Sequence, residues 1–204
     1  HAEFDRYGSR AIALAMPEVP LDARAALLDL ATEHGSLRVA SFTTGEMPAA
    51  LAGGLLDHVD LLAVNLDEAA AIAALPARVA DAEEVVAAAL RRLRPRAPGP
   101  RLSVTAGPAG SWSWDGATLA HLPSLTVPVA STAGAGDAFL AGLLVGMEAG
   151  LDMAQMQQLG TLAAGLAVTS PHTIHPELDL SSLRDLAGTV ALPGTGWDPR
   201  VLAL

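Results

Sequence analysis

Ser131-Thr132-Ala133-Gly134-Ala135-Gly136-Asp137, running directly into Ala138-Phe139-Leu140-Ala141-Gly142-Leu143-Leu144, is a turn of small residues that opens an apolar helix. Gly134 and Gly136 can take backbone conformations closed to other residues, Ala135 adds almost no bulk, and the first N–H groups of the following helix have no intrahelical partner. A turn of this kind gathers amides around an anion, phosphate above all. Asp137 is out of place if anion binding is the whole purpose, because it brings negative charge to a site for negative charge. A proton-accepting role accounts for it. Phosphoryl transfer to an alcohol needs donors around the equatorial oxygens and a group that takes the hydroxyl proton. The plainer alternative has Asp137 capping a helix after a glycine turn, and this string taken alone leaves both readings open.

Outward from this turn, the chain alternates short β-type runs with longer helical patterns. Two helices follow it, from about Asp137 to Glu148 and from about Met153 to Thr169. Before it, Ser111 to Trp114 and Thr118 to His121 form a hairpin over Asp115-Gly116, and Leu102 to Thr105 is a strand. Asp81 to Arg94 carries Val85, Val86, Ala89, Leu90 and Leu93 at helical spacing, with acids early and Arg91, Arg92 and Arg94 late, as the helix dipole prefers. Further upstream the alternation gives strands at Ala11 to Met16, Leu37 to Phe42 and Val59 to Val64, and helices at Leu21 to His34, Ala49 to Leu56 and Asp67 to Leu75. Repeated strand–helix units imply an α/β fold, a mostly parallel sheet with helices on both faces. No repeat or long linker interrupts it, and the proline–arginine stretch from Arg94 to Arg101 reads as a connection within a single domain, 1–204.

Composition bounds what such a domain can do. With 204 residues, 51% of them hydrophobic, and a mean hydropathy of +0.37, the chain is long and apolar enough for one sizeable core. A net charge of −10 argues against a broad nucleic-acid surface or an anionic membrane surface, so any phosphate site must be local. The absence of cysteine excludes disulfides, thiolate metal sites and cysteine nucleophiles, and makes the cytoplasm the default location. No apolar run approaches the roughly 20 residues of a membrane helix.

In open α/β sheets ligands bind beyond the carboxyl ends of the strands, and two more motifs fall there. Asn65-Leu66-Asp67-Glu68 follows the strand ending at Val64. Asn65 can donate to a phosphate, and Glu68 can hold a magnesium-bound water, since Mg²⁺ prefers oxygen ligands and keeps several waters. The alternative is a helix cap, with Asn65 as cap and Glu68 as third helical residue. Thr105-Ala106-Gly107-Pro108-Ala109-Gly110 offers a hydroxyl and a glycine-shaped turn to a polyphosphate, or else is an ordinary strand-to-hairpin connection.

Taken in order, Asn65/Glu68, Thr105/Gly107/Gly110 and Gly134/Ala135/Gly136/Asp137 resemble the three nucleotide and phosphate motifs of the PfkB (ribokinase-like) carbohydrate kinase family. Ser131 to Leu144 follows the closing signature of that family along its length. Leu162-Ala163-Ala164-Gly165-Leu166-Ala167-Val168-Thr169 is similar to the helix lining the adenine pocket. The resemblance covers nearly the whole chain and implies a Rossmann-like ribokinase fold. It implies Asp137 as the base, and the amides around Ala135, Gly136 and Asp137 as the anion hole with Gly134. It also implies Asn65 and Glu68 as organisers of Mg²⁺ and the phosphates, Thr105, Gly107 and Gly110 beside the phosphate and ribose of ATP, and Thr161 near the adenine. The implied reaction transfers the γ-phosphate of ATP to a hydroxyl of a sugar or nucleoside.

Two departures from the family pattern qualify this. Ser131 stands where many members carry an acid, and Ala133 where many carry a hydroxyl residue, positions associated with a monovalent cation, so cation dependence stays open. Members usually run to about 300 residues, and the amino-terminal third carries the glycine-rich sugar motif, a substrate-binding acid and a lid. The chain opens His1-Ala2-Glu3-Phe4-Asp5-Arg6, neither a signal peptide nor a natural initiator, and reads as an incomplete ribokinase-like fold lacking that substrate and lid segment. Members often dimerise through the lid, which leaves a homodimer as one alternative. A non-catalytic nucleotide-binding or assembly module is the second functional reading. Retention of Asp137 favours the kinase, because a pure binding module has no need of a base.

The remaining candidates are smaller. His172 and His175 lie between Pro171 and Pro176 in a loop with no further ligand-rich motif. The run from Ser170 to Pro176 is similar to the tail of some pseudouridine-kinase-like members, which points to a nucleoside acceptor. Trp112 and Trp114 share one face of a strand, and Met153 and Met156 fall at helical spacing, both read as packing.

Overall fold

The computed structural model describes residues 2–76, 81–94, 99–192 and 197–204. The chain divides into two compact units, His1–Val104 with Asp115–Ala117, and Thr105–Trp114 with Thr118–Leu204. The division falls at Val104 and Thr105. It does not fall in the stretch from Arg94 to Arg101, of which residues 95–98 lie outside the described residues.

The first unit contains α1 (Ala2–Tyr7), β1 (Ile12–Ala15), α2 (Leu21–Glu33), β2 (Leu37–Ala40), α3 (Met47–Ala52), β3 (Leu61–Asn65), α4 (Leu66–Ile72), α5 (Ala82–Leu93) and nearly all of β4 (Arg101–Thr105). Its strands lie in the order β1-β2-β3-β4. β1 runs parallel to β2 from Ile12↔Leu37 to Ala15↔Ala40, and β2 parallel to β3 through Val39↔Leu61 and Ala40↔Leu62. Val39 with Ala40, and Leu61 with Leu62, are adjacent pairs with all four residues at 0% exposure. Successive strand residues point to opposite faces, so the sheet is covered on both sides here, as a parallel sheet requires. α5 starts on Asp81, whose carboxylate accepts the Glu83 N–H at 2.9 Å, and buries Val85, Val86, Ala89, Leu90 and Leu93 on one stripe.

Among the expected elements that end early here, two have a visible cause. The strand read to Phe42 ends at Ala40, because the Ser41 carbonyl accepts Nη1 of Arg24 at 3.0 Å and Phe42 turns fully into the core. The Arg24 guanidinium, 1% exposed, pairs with Glu46 and lies 5.1 Å over the Phe42 ring. The helix read from Ala49 to Leu56 stops at Ala52, and Gly54 at φ +73° turns the chain into a 3₁₀ segment, Leu55–His58.

The second unit holds the hairpin of β5 (Ser111–Trp114) and β6 (Leu119–Leu122), then α6 (Ala135–Glu148), α7 (Met153–Ala167) and α8 (Leu180–Thr189). The hairpin is antiparallel, with Ser111↔Leu122 and Trp114↔Leu119 in register around the expected Asp115-Gly116 turn. Both tryptophans are buried, and Trp112 stacks on His121 with ring centroids 4.2 Å apart. α6 and α7 cross at contact distance: a methyl group at Gly142 would lie 2.7 Å from the Cα of Gly160, and one at Gly160 would lie 2.9 Å from the Phe139 carbonyl. Met153 and Met156 are core residues of this pair. Gln157 ties α7 to the hairpin, accepting from the Ser113 hydroxyl at 2.6 Å and donating to the Ser111 carbonyl and hydroxyl at 2.8 and 2.9 Å. α1 and α8 went unread in the sequence, although Asp179 signals α8 by capping the Ser182 N–H at 2.8 Å. No helix among the described residues is long and apolar enough to cross a membrane.

Candidate functional site

The turn before α6 differs from its expected form in one telling way. Gly134 is its N-cap at φ +79°, a left-handed conformation, and a methyl group there would lie 1.9 Å from the Thr173 carbonyl oxygen. This glycine is required by both backbone and neighbour. Gly136 is not: it sits in the helix without positive φ, and nothing lies within 4 Å of where its methyl group would be. The expectation that both glycines serve the turn's conformation is therefore corrected. Gly136 leaves open space over its Cα on the solvent side of the turn, where a ligand can approach the backbone.

The amides of this turn divide in the same way. Ala135 N–H closes a turn onto the Thr132 carbonyl at 3.3 Å, and Ala138 N–H makes the first intrahelical bond, to Gly134, at 2.9 Å. Between them, the N–H groups of Gly136 and Asp137 have no acceptor among the described residues. Asp137 is the third helical residue, exposed, and its carboxylate makes no hydrogen bond or ion pair among the described residues. The helix cap is Gly134, which has no side chain, so the reading of Asp137 as a cap does not describe this turn. Ser131 spends its hydroxyl accepting the Ala133 N–H at 3.2 Å, and the N–H groups of Ala130 and Ser131 anchor on the Val168 carbonyl at 2.8 and 3.3 Å.

Thr105 ends β4 half-buried, and the turn after it is closed on itself: Ala106 donates to Gly110 at 2.9 Å, Ala109 to Ala106 at 3.1 Å and Gly110 to Gly107 at 3.0 Å. Gly110, at φ +89°, has a structural reason to be glycine, because a methyl group there would meet the Leu122 carbonyl at 2.2 Å. Gly107, at φ +54°, has open space above it. Thr161 is buried in α7, and its hydroxyl donates back to the Gln157 carbonyl at 2.9 Å.

Asn65 and Glu68 belong to the first unit. They form a complete capping box: Asn65 Oδ1 accepts the Glu68 N–H and Glu68 Oε2 accepts the Asn65 N–H, each at 2.9 Å. The cap reading is thus realised, and it leaves the second carboxylate oxygen of Glu68 to other partners. Partial burial raises the Glu68 carboxyl above its ordinary range, against the Asn65 hydrogen bond and with help from the charges of Asp67 and Glu46. A carboxyl beside two other acids gains from a cation, and a carboxylate oxygen outside the capping box suits Mg²⁺, which keeps most of its waters. No cluster of three or more His, Asp or Glu with metal-binding geometry occurs among the described residues, His172 and His175 included. The pairing of buried Arg24 with half-buried Glu46 left no signal in the sequence, since a lone arginine on an amphipathic helix reads as a solvated one.

The family profile for pfkB carbohydrate kinases matches residues 7–180. A 65-residue stretch, 32% of this chain, is 42% identical to the fructoselysine 6-kinase of Shigella flexneri and spans 25% of that enzyme. Among solved structures, the adenosine kinase of Sinorhizobium meliloti superposes with a TM-score of 0.72 at 21% identity, covering 90% of this chain and 56% of that one. The Arabidopsis thaliana ribokinase complexed with ribose and ATP gives a TM-score of 0.69 at 22% identity, over 86% of this chain and 55% of its own. The chain therefore spans little more than half the length of these two solved kinases and shares their fold, and its match to the fructoselysine 6-kinase covers a quarter of that enzyme. With a profile match over residues 7–180, a range that contains Asn65, Thr105 and Gly134–Asp137, the chain belongs to the pfkB family of carbohydrate kinases.

Proposed function

We propose that this chain is the nucleotide-binding and phosphoryl-transfer portion of a kinase that moves the γ-phosphate of ATP to a hydroxyl of a sugar-like or nucleoside acceptor. Asp137 carries the reading. Among the described residues this exposed carboxylate has no partner and stands beside two amides with no acceptor, so apart from its favourable charge at the helix start it is not spent on the fold. Its chemistry suits a general base that takes the acceptor's proton while the Gly136 and Asp137 amides hold the transferred phosphoryl group. Ala135 and Gly134 shape the turn so that these amides converge.

Thr105, Gly107 and Gly110 then flank the phosphate and ribose of the nucleotide, and Thr161 supports the adenine side from within α7. Within the first unit, Asn65 orients Glu68, which would hold Mg²⁺ through water. Bound Mg²⁺ would neutralise part of the phosphate charge. The relative named for fructoselysine and the fold shared with ribokinase and adenosine kinase favour a ribose-like or hexose-derived acceptor.

The test is ATP turnover against a panel of sugars, sugar amines and nucleosides, read as ADP release, with Asp137→Asn beside the wild type. Asp137→Asn is expected to lower kcat by about 10²- to 10⁴-fold while ATP affinity stays within about threefold, because the base and the binding amides are separate groups. Full activity in that variant overturns the assignment. Nucleotide binding without turnover of any acceptor would favour the non-catalytic module.

A further inference from the structure

The cradle at α6 lies in a unit short of fixed positive charge. All 12 basic residues of the chain are arginines, and the second unit holds two of them, Arg184 and Arg200. Both are committed. Arg184 donates from Nε and Nη2 to the Leu202 and Leu204 carbonyls at 2.7 Å each, and Arg200 lies 2.6 Å from Asp198, whose carboxyl it holds far below the usual carboxylate range. The two open amides of the cradle offer a helix-end charge of about half a unit, and Asp137 opposes it. A polyphosphate there has every reason to recruit another cation.

The unit's remaining cationic candidates are three histidines. His121 is stacked on Trp112 with its Nε2 2.8 Å from the Ala109 carbonyl. His175 accepts the Glu177 N–H on Nδ1 at 3.1 Å. His172 is exposed, and its ring has no partner among the described residues. Its backbone is nevertheless fixed. Its N–H donates to the Ser170 hydroxyl at 3.1 Å, and the next residue, Thr173, seats its carbonyl over Gly134 at a separation that no side chain could share. The segment entering the cradle is tied to the same region through the Val168 carbonyl. His172 is thus one residue, about 3.8 Å of chain, from the residue packed on the cradle's N-cap.

We propose that His172 is a phosphate-binding residue of the α6 cradle, supplying a positive charge controlled by the proton; this rests on the phosphoryl-transfer reading of that cradle. Histidine changes charge between about pH 5 and pH 8, so binding of the anion takes up a proton. The ionisable groups on the segments around it are Asp137 on the cradle and His175, Glu177 and Asp179 downstream, while the last two turns of α7 carry none. Asp179 is occupied by its cap on α8.

Calorimetric titration with ADP and with adenosine, at about pH 6 and about pH 8, tests this in the wild type, His172→Asn and His172→Arg. His172→Asn should weaken ADP binding about three- to fivefold at the lower pH, the size of one exposed ion contact, and much less at the higher. His172→Arg should restore binding at both, and adenosine affinity should not move. Comparison with the neutral Asn variant removes the titration of ADP itself, and thermal midpoints check that each variant is folded. Equal ADP affinities for the wild type and His172→Asn at both pH values overturn the proposal alone. Failure of the wild type to bind ADP overturns the cradle reading, and this proposal with it.

Discussion

At the start of α4, Asn65 and Glu68 exchange two hydrogen bonds of 2.9 Å and satisfy two backbone donors between them. At the start of α6, Gly134 has no side chain to offer, and the amides of Gly136 and Asp137 are left without an acceptor among the described residues. Both starts follow a motif with a polar or acidic residue in the helix's first turn, and they use it in opposite ways. In α4 the acid serves the backbone, with one oxygen left over. In α6 the acid contributes only its charge at the helix start, and among the described residues neither its carboxylate nor the amides of Gly136 and Asp137 make a hydrogen bond. An uncapped helix start costs stability that a side chain would easily supply, by about 1 kcal/mol. On the proposed reading, an outside anion would complete the α6 start, which the fold itself leaves open.

The largest effect should come from Gly134→Ala. A methyl group forced into left-handed backbone and against the Thr173 carbonyl is expected to cost about 2–4 kcal/mol in chemical unfolding and to disrupt phosphate binding together with stability. A neutral result would break the comparison, because the α6 start would then not depend on its glycine cap. Asn65→Ala should cost about 1 kcal/mol in the same measurement by removing one half of the α4 box. At α6 there is no side-chain cap to remove, so the two starts respond to different substitutions. Gly136→Ala sharpens the contrast most, although its effect on stability is the smallest. Alanine fits the helix and the open space, so stability should rise by about 0.5 kcal/mol while ADP affinity falls. A gain in stability with unchanged affinity would mean that no ligand approaches that Cα.

The alternation of strands and helices was legible because its signals are local: a parallel strand reads as a short apolar run and α5 as a single stripe with an acidic start. The Asn65–Glu68 box was legible for the same reason, since its two partners are three residues apart. What misled was equally specific. Gly136 was read as a conformational glycine, because sequence does not say which glycine of a pair takes the positive φ. The strand at Leu37 was extended to Phe42 because Phe42 is apolar, whereas its burial is in a loop under Arg24. α8 was passed over because its ten residues lie among loop-like neighbours, although Asp179 and Ser182 form its cap.

The residues between 131 and 144 by themselves determined that a helix begins after a small-residue turn with an acid in its first turn, because caps, turns and helical spacing act over a few residues. The order of the three motifs, likewise linear information, determined the family. Tertiary structure alone decided which of these residues are already spent. Gly134 is held by a carbonyl from Thr173, Thr161 gives its hydroxyl to its own helix, and both arginines of the second unit are bound elsewhere. Whether a polar group is satisfied depends on what the fold brings to it from far along the chain. That is why the amides of Gly136 and Asp137 and the ring of His172, all without a partner among the described residues, became visible only in the folded molecule.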